Sequence, residues 1–426
     1  MQTVQKFEDA PRTRPPPRVT TRLEPASSER RSIRMPRLTV SVRGRVIPVW
    51  LVLLVGYLLS RVLTTVLLAG AYWLSTSQGW AIAHFDGAPG FLGYLQSWDG
   101  QPYAQIAEHG YPGVLPLDAS GNVAKNPWAF LPLYPMTVRA VMVVTGLGFS
   151  VAGVLVAALF GFAATIALHR LLMGQFGEKT AIWGALFFCF GPMSYILQVT
   201  YAESVYLFLM FGALAAMLSR RYWLMIPFGI LAAFAHPGAI ALAAALGLQR
   251  VILFLRREPS RTLNRLSAWI AIGLIGLAGI AWPFVVSAVI GNPNAYFETE
   301  TAWWRDYIGD IHFFPFTPWF IFAGHYLGAI GIVIVIAAIA GFVFWISRPS
   351  VRAIGSDLTA YTASYVAYLV AVFLPQQSLF RMLLPLSPLL GHPALSRSPR
   401  SRRITLAVSI ALQPVGILLF WVIYPP

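Results

Sequence analysis

The residues best suited to chemistry lie in one stretch, Ser97-Trp98-Asp99-Gly100-Gln101-Pro102-Tyr103-Ala104-Gln105-Ile106-Ala107-Glu108-His109-Gly110-Tyr111-Pro112. A carboxylate beside a large aromatic ring at a lipid–water boundary gains basicity and can accept a proton from a sugar hydroxyl. Asp99 is therefore the candidate general base, with Glu108 its rival in the same segment. Trp98 and Tyr103 offer flat apolar faces to a pyranose ring. Gln101 to His109 reads as a short helix held between Gly100 and Gly110, with Tyr103, Ile106 and Ala107 on a face able to lie on the bilayer surface. Asp99 then precedes the first turn, where a carboxylate caps free backbone N–H groups. That structural role competes with the catalytic one, and His109 reads as a surface residue.

Three basic residues stand out, and the family resemblance given below implies a donor phosphate for them to hold. Arg381 lies at a turn just before an apolar helix, and a guanidinium can grip phosphate with two parallel hydrogen bonds. Snorkelling to the membrane interface is its structural alternative. Arg61 falls inside the first apolar segment, where an arginine costs about 2.5–3.5 kcal/mol on insertion scales and must face a partner or a polar cavity. An internal ion pair or a carbonyl cap would satisfy it equally. His236 is the third candidate. Glu203, at a helix end, either binds a sugar hydroxyl or pairs with Arg61 or Arg381. Glu298, Glu300, Asp306 and Asp310 crowd one later loop. Such acids can hold a divalent ion through oxygen ligands, but a solvated loop facing the acceptor is the preferred reading, and no metal or other cofactor is assigned. His84 and Asp86 show no compelling spacing.

The elements that must position these groups are apolar. The chain of 426 residues is 57% hydrophobic and 11% charged, with a mean hydropathy of +0.65. Soluble domains are about 45–50% apolar and about 25% charged, and runs of about 20 apolar residues recur here. A water-soluble enzyme is excluded, and an all-α polytopic membrane protein is expected. Candidate spans are 46–72, 151–168, 181–199, 204–218, 223–235, 239–255, 269–290, 316–346, 358–374, 382–390 and 404–423. The segment Phe130–Gly146 is apolar but interrupted by Pro132, Pro135 and Arg139.

Charge decides its reading. If residues 130–146 form a re-entrant or interfacial helix, fifteen basic residues after the first span fall on the cytoplasmic side against Glu178, Glu258 and Asp357. If they cross fully, every later loop flips and the positive-inside pattern fails. About eleven spans are therefore expected, with loops 74–129 and 291–315 facing out. The polar groups at 201–203, 236–237 and 376–381 then converge on the same outer side. Residues 1–45, with eleven Lys/Arg and a Pro15-Pro16-Pro17 run, read as a disordered cytoplasmic tail. Its charge, part of a net +15, suits topology and anionic lipid better than nucleic acid. Cys189 stands alone, so no intrachain disulfide framework exists.

Trp98-Asp99-Gly100, followed by Tyr103, Ile106-Ala107 and Gly110-Tyr111, resembles the first-loop signature of PIG-V-type mannosyltransferases. These are the GPI mannosyltransferase II family and its bacterial relatives, in the GT-C superfamily. Further similarities follow in order: Phe130-Leu131-Pro132-Leu133-Tyr134-Pro135, Tyr201-Ala202-Glu203-Ser204, Gly291-Asn292-Pro293 with Ala302-Trp303, and Leu379-Phe380-Arg381 before Leu384-Pro385. Two departures stand out: Ala202 occupies a position where the family pattern has serine, and His236-Pro237-Gly238 replaces an Arg-Pro-x-Gly turn.

The resemblance implies a GT-C-like bundle of about 11–12 transmembrane helices over residues 46–426, with interfacial helices in the first outer loop. It implies inverting transfer of a hexose, most often mannose, from a polyprenyl-phosphate donor to a glycolipid or glycan acceptor outside the plasma membrane, with the N-terminus cytoplasmic. Tyr201 and Trp303 then join Trp98, Tyr103 and Glu203 as sugar or acceptor contacts. Such a donor needs no nucleotide-binding loop, and neither a P-loop nor a dinucleotide fingerprint is present. The alternative, a lipid or lipid-sugar transporter, would often show inverted repeats with broken helices; no convincing internal repeat is found.

Overall fold

A bilayer core offers no hydrogen-bond partners to the backbone, so apolar segments of this length fold as helices, which satisfy their own N–H and C=O groups. The computed structural model describes residues 39–42, 45–80, 90–257 and 265–424. A small antiparallel hairpin, β1 (Thr39–Val42) with β2 (Arg45–Pro48), pairs Thr39 with Pro48 and leads into α1 (Val49–Ser77). The paired backbone thus begins inside the range assigned to the tail; the remainder of that tail lies outside the described residues, as do His84 and Asp86.

The chain continues through α2 (Gly100–His109), α3 (Leu133–Thr145), α4 (Phe149–Phe176), α5 (Glu178–Cys189), α6 (Glu203–Leu218) and α7 (Tyr222–Ala235). It ends with α8 (Ile240–Leu255), α9 (Leu266–Ile290), α10 (Ala295–Ile308), α11 (Pro318–Ser347), α12 (Ser356–Val372) and α13 (Pro399–Ile417). Among the described residues, six helices are long and apolar enough to cross a membrane, and α3, α6 and α7 are shorter apolar helices. The protein is a multi-pass membrane protein.

Helix α3 has 13 residues and rises about 20 Å, less than the roughly 30 Å hydrocarbon core. Pro132 precedes its first turn and Gly146, left-handed at φ 73°, closes it. Two expected spans are broken. Over 181–199 the helix stops at Cys189, because Gly191-Pro192 follows, and Ser194–Gln198 forms only a 3-10 turn. Over 382–390 a single turn, Leu379–Met382, gives way to a 3-10 run with Pro385 and Pro388, each of which removes a backbone donor.

Helices α4 and α6 form the centre of the bundle, and Gly153 and Gly161 of α4 let Thr200 and Leu197, in the segment before α6, pack closely against it. A Cβ at Gly161 would come within 2.5 Å of the Tyr57 hydroxyl, which instead donates to Ala158 O at 2.8 Å. The periphery is apolar: Leu59, Val62, Phe284, Ile330 and Val333 are exposed, as a lipid-facing surface demands. One end of the bundle gathers basic groups. There Arg220 pairs with Asp357 at 3.0 Å, Gln249 also bonds Asp357, and buried Arg250 donates to the Tyr222 hydroxyl at 2.8 Å. The residues with chemistry collect elsewhere, around α2, α10 and the N-terminus of α6.

Candidate active site

The turn Leu379–Met382 presents Arg381 to two carboxylates. Its Nη1 donates to Glu203 Oε1 at 3.0 Å and its Nη2 pairs with Asp99 Oδ2. The three side chains are 10%, 5% and 13% exposed, so the group is nearly dehydrated. Burial alone would lower the arginine's proton affinity, but the Asp99 and Glu203 carboxylates outweigh it and hold the guanidinium firmly charged. The Tyr201 ring lies 5.1 Å from the guanidinium carbon.

Local sequence explains how each member is placed. Glu203 is the first residue of α6, where free backbone N–H groups favour an anion. Asp99 occupies the N-cap position of α2 but makes no capping hydrogen bond; its carboxylate is directed to Arg381. The turn before α2 is tight. Trp98 adopts a positive φ of 60° while its indole N–H donates to Trp421 O at 3.2 Å. Gly100 follows, where a Cβ would meet Thr200 Oγ1 at 2.4 Å. Only glycine lets the turn press so closely on the segment leading into Glu203.

A cavity of about 630 Å³ opens beside this cluster. Trp98, Asp99 and Tyr103 form one side, Phe130 and Leu131 another, and His236 lies on the turn between α7 and α8. Helix α10 supplies Tyr296, Glu300, Trp303 and Tyr307, which share a face by their spacing. Of the residues singled out in the sequence, the cavity brings together Trp98, Asp99, Tyr103, Glu203, His236, Trp303 and Arg381. Tyr103 is edge-on to Phe130 and Tyr134, each at 5.0 Å. With Ile106 and Ala107 it is buried in the protein core, not laid on the bilayer, because α3 and the segment before it cover that face.

Three candidates fall outside the cavity lining. Arg61 donates to Ser194 O at 2.7 Å and Cys189 O at 3.1 Å, with Ser60 Oγ also in reach. It caps the carbonyls left free where α5 breaks. Glu108 lies at the far end of α2, 43% exposed, with His109 4.0 Å away. Tyr201 is fully buried behind Arg381, packed on Trp421. His236 reaches the cavity but is not a cation. Burial, aided by the Arg381 charge, lowers its pKa to about 3. Its ring stacks on Tyr206 at 4.8 Å, and its Nδ1 accepts from the Gly238 N–H at 3.4 Å.

The four acids of residues 291–315 diverge. Glu298 accepts from Asn292 at 2.9 Å, Asp306 pairs with Lys125 at 2.5 Å, and Asp310 pairs with Arg305 at 2.5 Å. Among the described residues, no three His, Cys, Asp or Glu side chains converge as metal ligands. Glu300 alone of the four lines the cavity. Withdrawal from water raises its pKa to about 7, opposed by the Tyr296 hydroxyl beside it and aided by the Asp99 charge. In the sequence Glu300 was one acid among four, and Tyr296, Tyr307 and Lys125 were not singled out; the helical spacing 296, 300, 303, 307 was the available signal for the first two.

Residues 37–287 match the family model described as mannosyltransferase (PIG-V). GPI alpha-1,6-mannosyltransferase 2 of Mus musculus is 29% identical over 144 residues, 32% of this chain and 27% of that protein. The Homo sapiens protein of the same name is 30% identical over 147 residues, again 32% and 27%. The alignment thus spans about a quarter of the length of these curated relatives. The crystal structure of ArnT from Cupriavidus metallidurans bound to undecaprenyl phosphate is similar over 83% of this chain and 64% of that one, at 18% identity and a TM-score of 0.45. With more than half its length matched by the family model, and with Asp99, Glu203 and His236 inside the matched region, the chain belongs to the PIG-V mannosyltransferase family.

Proposed function

We propose that this protein transfers a hexose, mannose by family, from a polyprenyl-phosphate sugar to a glycolipid or glycan acceptor, with inversion at the anomeric carbon. The observation that carries the reading is the buried Arg381 held between Asp99 and Glu203 at the edge of an aromatic cavity. A lipid-linked donor brings one phosphate, and a guanidinium is suited to gripping it through two oxygens. The arriving phosphate competes with Asp99 for Arg381 and frees that carboxylate as a base. Asp99 then takes the acceptor's hydroxyl proton, the acceptor oxygen bonds to the sugar's C1, and the C1–O bond to phosphate breaks. Polyprenyl phosphate leaves with its added charge against Arg381.

The site is proposed to face the outside of the plasma membrane. The basic end around Arg220, Arg250 and Arg352 then lies in the cytoplasm, as the positive-inside rule requires. Deleting the gene and comparing glycolipids and glycoproteins by mass spectrometry tests the function: a single missing hexose increment, restored by the intact gene, is expected. An unchanged profile contradicts the reading.

A further inference from the structure

Asp99 and Glu203 share Arg381, but the cavity holds a third carboxylate with different surroundings. Glu300 projects from the α10 wall, in a helix beyond the segment matched by the family model. Trp303 and Gln376 also line the cavity, and one polar atom of each, Nε1 and Oε1, is buried without a hydrogen-bond partner among the described residues. A carboxylate set among aromatic faces suits a ring that offers a hydroxyl to the carboxylate and an apolar face to the aromatics.

We propose that Glu300 is the acceptor-reading group of this site: its carboxylate accepts a hydrogen bond from a second hydroxyl of the acceptor and thereby turns the attacking hydroxyl toward Asp99. Trp303 and Gln376 line the same subsite, and the assignment rests on the transfer reading above. The groups facing Glu300 are Tyr296 on its own helix, Tyr368 on α12 and Asp99 before α2. Of the remaining charges on the cavity, Arg381 is held by Asp99 and Glu203, and Lys125 by Asp306. No cation therefore competes with a hydroxyl for Glu300. Because its pKa lies at about 7, its hydrogen-bond acceptance strengthens as the pH rises through neutrality.

Saturation-transfer NMR on the full chain in nanodiscs tests this, with methyl α-D-mannopyranoside as the probe and open-chain sorbitol as the control. The wild-type protein is expected to saturate the pyranoside ring protons in preference to sorbitol, with affinity rising between pH 6 and 8. Glu300→Gln should weaken binding about tenfold or more, as loss of a hydrogen bond to a charged group does, and should flatten the pH dependence. Gln376→Leu provides a second, uncharged test and should also weaken binding while leaving the pH dependence in place. No wild-type preference for the ring, or equal binding and pH dependence in Glu300→Gln, overturns the proposal. Turnover of polyprenyl-phosphate mannose is measured separately: its absence in wild type would refute the transfer reading, while the NMR result still decides the subsite.

Discussion

Arg381 meets Asp99 through Nη2 while its Nη1 holds Glu203, so the carboxylate proposed as base is tethered, in the absence of donor, by the cation proposed to receive the donor's phosphate. The two functions are mutually exclusive at one nitrogen. On the proposed mechanism, phosphate binding and activation of Asp99 are a single event.

Replacing Arg381 tests both halves of this arrangement. Arg381→Gln leaves two buried carboxylates without their cation, and removing one partner of a buried pair costs about 3–5 kcal/mol. A clear fall in thermal midpoint is expected with loss of transfer. Arg381→Lys keeps the charge but not the fork; it should fold and raise the donor KM about tenfold or more. Midpoints in detergent and donor titrations check the two outcomes.

Gly100 should be intolerant for a steric reason. Its Cβ would lie 2.4 Å from Thr200 Oγ1, so Gly100→Ala shifts the turn that aims Asp99. Activity should fall about tenfold or more, since small misplacements of a reacting group are costly. Adding Thr200→Gly, which clears the space, should restore part of the loss. Equal activity in the single and double variants would show that this contact does not position Asp99.

Arg61 should matter for folding and not for the donor. Its guanidinium satisfies Ser194 O and Cys189 O where α5 ends, and hydrogen bonds to charged groups are worth about 1.5–3 kcal/mol each. Arg61→Met should lower the thermal midpoint while folded protein retains the wild-type donor KM. A raised donor KM would return Arg61 to the phosphate site.

His236 gives a pH signature of its own. A histidine whose pKa falls to about 3 in the folded protein, from about 6.5 when unfolded, binds fewer protons folded than unfolded throughout that interval. Stability is therefore full above about pH 6.5 and declines as the pH falls toward 3. His236→Gln should lessen the acid sensitivity of the thermal midpoint between pH 6.5 and 5, while leaving the pH dependence of transfer above pH 6.5 unchanged.

The sequence placed the short helix after Asp99 to within a residue, because Gly100 and Gly110 bracket it, and it marked Asp99, Glu203 and Arg381 individually. Pairing of Glu203 with Arg381 was among the alternatives the sequence offered, but the meeting of Asp99 with Arg381 was not legible: it joins an early loop and a late turn brought together only by packing. Arg61 illustrates the opposite limit. Its cost in an apolar segment was evident, yet its carbonyl partners exist only because Gly191-Pro192 breaks the next helix. Glu300 was hidden by composition, since four acids in one loop look alike until the helix turns one inward and pairs two others with Lys125 and Arg305.

The most direct measurement is turnover of polyprenyl-phosphate [14C]mannose by membranes from a gene-deletion strain, which carry their own acceptors, after supply of wild-type or Asp99→Asn protein at matched, folded levels. A general base contributes about 10²–10⁴-fold, so Asp99→Asn should lose at least about a hundredfold in transfer while still binding the donor. Transfer by Asp99→Asn within a few-fold of wild type would contradict the account.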